Sequence, residues 1–174
     1  MAFSAIQPKN LILRFRNFLL GRERPDFIMR MSFLGGMIIW LYLASWHLLS
    51  LLAVLLRTTL NVGYQNLIHK RFIEIGDRYE FSSDPENMLI VHSSLQLVVY
   101  FVMLTGLILI YRRVRLGLAL YVVPAACSYL FTLIILGNEF LVSEFSFVDF
   151  VLLAGSAIYF TIGILLIFPI TKRI

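Results

Sequence analysis

Two side chains in the apolar part of this sequence could move a proton or hold a metal. They are His47, in LYLASWHLLSLLAV, and His92, in MLIVHSSLQLVVY. An imidazole pair on facing helices at similar depth is how a b-type haem is held. His47 lies nine residues before Leu56, and His92 four residues after Met88. On adjacent antiparallel helices that is a five-residue offset, about 7–8 Å by helical rise. Haem b on His47 and His92 is therefore the minor reading. Gln96 lies eight residues after Met88, almost level with His47. A neutral imidazole and a carboxamide each donate and accept a hydrogen bond. Left bare in hydrocarbon, either would cost several kcal/mol. A His47–Gln96 contact would be worth about 0.6–2 kcal/mol net. The expectation is a structural intramembrane contact, with no catalytic residue, no metal site and no cofactor assigned.

Other chemistry finds little support. The single cysteine, Cys127, excludes an internal disulfide and a cysteine-based metal site. There is no glycine-rich phosphate loop, no HExxH, no CxxC and no GxSxG. Intramembrane hydrolases and ion-coupled transporters place charged or strongly nucleophilic groups in the bilayer. The deep polar residues here, besides His47, His92 and Gln96, are hydroxyls such as Ser93, Ser128, Thr132 and Ser156. A hydroxyl can satisfy itself on a carbonyl one turn back, so these say little alone.

The elements that must carry these residues are set by hydrophobicity. Of 174 residues, 60% are hydrophobic, well above soluble usage. Segments 31–56, 88–111, 116–137 and 150–170 contain no Asp, Glu, Lys or Arg. The shortest, 21 residues, spans about 31 Å as a helix, close to bilayer thickness. The fold expected is an all-α integral membrane protein with four transmembrane helices. Residues 1–30 form a cytoplasmic interfacial part, and 31–174 the bundle, with an outer loop at 57–87. The first span is too long for a cleavable signal peptide.

Charge orients the bundle. The side holding the N-terminus, the 112–115 turn and the C-terminus carries eleven basic and two acidic residues, net +9. The other side carries four basic and eight acidic residues, net −4. The positive-inside rule places both termini in the cytoplasm of a multi-pass protein, expected in a bacterial inner membrane. The basic balance reflects topology and contact with anionic lipid headgroups through Arg14, Arg16, Arg112, Arg113 and Arg115. No nucleic acid partner is implied, since no folded basic surface exists to bind one. Residues Gln7–Gly21 read as a short amphipathic helix lying in the interface. In the outer loop, Leu60, Tyr64, Leu67, Ile68, Phe72 and Ile75 recur at helical spacing. Asp84, Pro85 and Glu86 open the second span as cap, first position and dipole partner. Ser146 and Asp149 are expected to cap the fourth.

Small residues mark where helices approach. They are Gly35 and Gly36 in the first span, Ala125, Ala126 and Ser128 in the third, and Ala154, Gly155 and Ser156 in the fourth. Pro124 is expected to kink the third span. Together these features point to a non-catalytic membrane subunit that stabilises or positions a larger complex with other membrane subunits. The alternatives are a small transporter or channel component, or a haem b electron-transfer subunit.

Overall fold

The computed structural model describes residues 26–81, 84–144 and 147–163, with Leu13 and Asn17. The expected interfacial helix at Gln7–Gly21, including Arg14 and Arg16, otherwise lies outside the described residues. The described chain is all-helical, without strands. Its helices are α1 (Phe27–Leu55), α2 (Val62–Arg78), α3 (Pro85–Tyr111), α4 (Leu116–Glu144) and α5 (Phe147–Ile162). Among them, α1, α3 and α4 are long and apolar enough to cross a membrane. The apolar α5 has 16 described residues, and the rest of its expected span, from 164 to 170, lies outside the described residues.

Local sequence explains where each helix begins and ends. Asp26 holds the N-cap position of α1 with extended backbone, but makes no cap bond with its side chain. Its carboxylate instead accepts from Arg113 Nη2 at 2.8 Å. After α1 comes a 3-10 turn, Arg57–Thr59. Asn61 then caps α2, its Oδ1 accepting from the Tyr64 N–H at 3.1 Å. The amphipathic stripe of the outer loop is thus a separate helix, not a continuation of α1. α3 opens on Asp84, which accepts from the Glu86 N–H, with Pro85 in the first turn. Gly76 lies so close to this turn that a Cβ there would run into the Pro85 ring.

α3 is the central helix, packed most extensively on α4 and then on α1. The α3–α4 hairpin turns through Arg112–Arg115, with Arg113 in the left-handed region. Its two helices approach nearly backbone to backbone. A Cβ on Gly106 would lie 2.6 Å from the Leu120 carbonyl carbon, and one on Gly117 2.6 Å from Ile110 N. The core includes Met29 and Leu43 of α1, Tyr100, Met103 and Leu107 of α3, Tyr121 of α4, and Leu153 and Phe160 of α5. Pro124 lies inside α4, yet the break in helical dihedrals falls at Gly137, with φ 86° and ψ 172°. The segment after this break brings Phe140 and Ser143 against the end of α2. There Tyr79 hydrogen-bonds Ser143 at 2.7 Å, and Phe140 packs edge-on against Tyr79.

Candidate functional site

The polar residues of the bundle converge on one level. On α3, His92, Gln96 and Tyr100 follow at four-residue spacing and share one face, with Ser93 beside them. On α4, Ser128 and Thr132 do the same. Gln96, Ser128 and Thr132 are each 0% exposed, so hydrogen bonds must come from the protein.

The pivot is Gln96. Its Nε2 lies 2.9 Å from the Ser128 carbonyl, 3.0 Å from Thr132 Oγ1 and 3.2 Å from His92 Nε2. Its Oε1 accepts from Ser128 Oγ at 2.7 Å. Thr132 Oγ1 donates back to the Ser128 carbonyl at 3.0 Å and contacts His92 Nε2 at 2.9 Å. An amide nitrogen has two hydrogens, so it can serve only two of its three neighbours at once. With the His92 proton on Nε2, the imidazole donates to Thr132. With the proton on Nδ1, Nε2 accepts from Thr132 or Gln96. His92 Nε2 therefore finds a partner in either neutral tautomer. Tyr100 OH extends the network to Ser128 Oγ at 3.4 Å, and Trp40 Nε1 donates to the Tyr100 carbonyl at 2.6 Å, tying α1 to α3.

His47 joins differently from the sequence expectation. Its depth is as counted: the ring lies between His92, at 5.4 Å between centroids, and Tyr100, at 5.6 Å. These residues flank Gln96 by one turn on each side. The described hydrogen bonds of Gln96 go to α4 and His92, however, while His47 Nδ1 reaches Ser93 Oγ at 3.5 Å. The carboxamide is engaged by three oxygens of α4: the Ser128 carbonyl, Ser128 Oγ and Thr132 Oγ1. His47 is held mainly by ring packing, since 3.5 Å is a weak hydrogen bond.

The same geometry does not suit haem. A bis-histidine haem lies as a flat ring between two imidazoles, each aiming a free nitrogen at the iron. Here the imidazoles meet edge to face, and His92 Nε2 is engaged by Thr132 and Gln96. No group of three or more metal-binding side chains occurs among the described residues.

The remaining predicted residues divide between interior and surface. Gly36 meets Leu107 and Phe160, Ala125 is buried, and Ser156 accepts from Tyr121 OH at 2.9 Å. Gly35 and Gly155 have no heavy atom within 4 Å of an added Cβ, and Ala126 is exposed. Ala154 is half-buried, as is Cys127, a free thiol. Arg112 and Arg115 are exposed in the α3–α4 turn, beside the Asp26-bound Arg113. Ser146 lies outside the described residues. Asp149 stands in the first turn of α5, close to Tyr42 of α1.

The α3–α4 network was missed as a unit, although a signal for it exists. Gln96 is fifteen residues before Tyr111, and Phe131 fifteen after Leu116. Equal distances from a tight turn place Gln96 opposite Thr132 and its neighbour. Compared with family models, curated proteins and solved structures, the chain matches none.

Proposed function

We propose that this protein is a non-catalytic integral membrane subunit, with four spans and both termini in the cytoplasm of a bacterial inner membrane. In this reading it stabilises or positions a larger membrane complex. The observation that carries the reading is the self-sufficiency of the polar core. Among the described residues, no buried side-chain nitrogen or oxygen lacks a hydrogen-bond partner. A network of this kind fixes the register of α3 against α4 and leaves no idle group aimed at a substrate. Meanwhile α1 turns Ile38, Leu41, Trp46 and Leu49 outward, an apolar face open to lipid or to neighbouring helices. Small side chains and cross-helix hydrogen bonds are what drives helix association in a bilayer.

The test is purification of the tagged full chain from membranes in a mild detergent, with native mass spectrometry. The expected result is a defined larger assembly at fixed stoichiometry. Photocrosslinkers at Ile38 and Leu49 should then reach one partner protein. A monodisperse monomer that crosslinks only to lipid from both positions overturns the reading.

A further inference from the structure

We propose that the cleft between α1 and α5 binds one acyl chain of an anionic phospholipid. It is an open furrow of about 540 Å³, within the roughly 300–1,000 Å³ of small-ligand pockets. Its walls include Met31, Gly35 and Ile39 from α1, facing Val151, Gly155 and Phe160 from α5. Two glycines make the space: a Cβ at Gly35 or Gly155 would meet nothing within 4 Å.

The polar groups of the cleft are already spent. Ser32 Oγ donates to the Ile28 carbonyl and shares a 2.6 Å hydrogen bond with Tyr159 OH. Ser156 Oγ donates to the Leu153 carbonyl and accepts from Tyr121. A polar ligand would have to break these bonds, whereas a hydrocarbon would not. The Ser32–Tyr159 bond, and Phe160 against Gly36, also hold α1 and α5 together. A helix, about 10–12 Å across with its side chains, cannot enter between them; a single flexible chain can lie in the furrow.

Charge selects the headgroup. The lower end begins at Phe27, next to Asp26, whose carboxylate holds Arg113 at 2.8 Å. Arg112 and Arg115 occupy the same turn. Three arginines against one aspartate favour a phosphate-bearing anion at that end. The inference stands whether or not a partner subunit binds elsewhere.

The experiment reconstitutes the full chain into phosphatidylglycerol–phosphatidylcholine vesicles. These contain a trace of either lipid with a diazirine midway along one acyl chain. After irradiation, labelled peptides are quantified by mass spectrometry. Insertion should concentrate between Met31 and Ile39 and between Val151 and Tyr159, with the phosphatidylglycerol probe several-fold ahead. Gly35→Leu with Gly155→Leu should reduce that insertion several-fold while leaving insertion at the exposed Val98 and Phe101 unchanged. If the pair does not fold, Gly155→Leu alone carries the same test. Undiminished labelling in the variant overturns the cleft, and equal labelling by the two lipids overturns the anionic headgroup. A Gly35→Cys disulfide between two copies, with the cleft unlabelled, assigns the face to a second copy and overturns the lipid.

Discussion

At the scale of single residues, Gln96 carries more than either histidine. Its carboxamide bridges α3 to two hydroxyls and a carbonyl of α4. Gln96→Leu would remove both hydrogen-bonding atoms and leave Ser128 and His92 short of a partner inside the bundle. A loss of about 1–3 kcal/mol is expected, measured by unfolding in mixed detergent micelles. His47→Leu should cost less, because its one described hydrogen bond is 3.5 Å long. A double-mutant cycle separates the two contacts: Gln96→Leu with Ser128→Ala should couple by about 0.6–1.7 kcal/mol. Gln96→Leu with His47→Leu should be close to additive. Strong coupling in the His47 cycle, and none in the Ser128 cycle, would sink this assignment. Depth was readable from the sequence because rise per residue is fixed, and His47 does lie level with Gln96. Rotation about the helix axis was not readable. Which side of α3 the carboxamide faces depends on the oxygens α4 presents, and those follow from the packing of both helices.

At the scale of elements, glycine marks contact only where the partner backbone is near. Gly35 and Gly106 look alike in sequence, each within a charge-free run. The structure separates them: an added Cβ at Gly35 meets open space, and one at Gly106 meets the Leu120 backbone at 2.6 Å. Gly106→Ala must therefore push α3 from α4, at a cost of about 1–3 kcal/mol. Gly35→Ala should be neutral, or stabilising by up to about 1 kcal/mol, from helix propensity. The same micellar unfolding measures both, and equal losses would contradict the packing described. Caps were the most legible feature. Asp84 with Pro85 announces α3 as read, and Asn61 is an equally good signal, overlooked because the apolar stripe begins before it. Asn61→Ala should loosen α2 by about 0.5–2 kcal/mol, read as faster hydrogen exchange of the first-turn amides of α2. The break at Gly137 was less legible than Pro124, because a glycine permits a positive φ without requiring one.

At the scale of the whole molecule, charge and apolar area describe one object. The three helices long enough to cross a bilayer leave large apolar side chains facing outward along their length. That is stable only in a hydrocarbon environment, since in water the same surface would drive aggregation. In the four-span arrangement proposed above, the charge of the sequence divides into net +9 on the side of the Arg112–Arg115 turn and net −4 on the side of α2. The α2 side is further organised around one carboxylate that joins three elements. Arg57 pairs with Glu86 at 2.6 Å, and His69 Nδ1 hydrogen-bonds the same carboxylate at 3.3 Å, clasping the 3-10 turn after α1, α2 and the start of α3. For that arrangement the positive-inside rule predicts the arginine turn in the cytoplasm and α2 outside. This is testable on a Cys127→Ser background, which removes the only native thiol. Single cysteines at Asp77 and at Arg112, both exposed, are treated in intact cells with a membrane-impermeant maleimide. The Asp77 site should react at once and the Arg112 site only after permeabilisation. The opposite pattern would invert the molecule, and reaction at both sites in intact cells would refute any arrangement in which α3 crosses the bilayer between them.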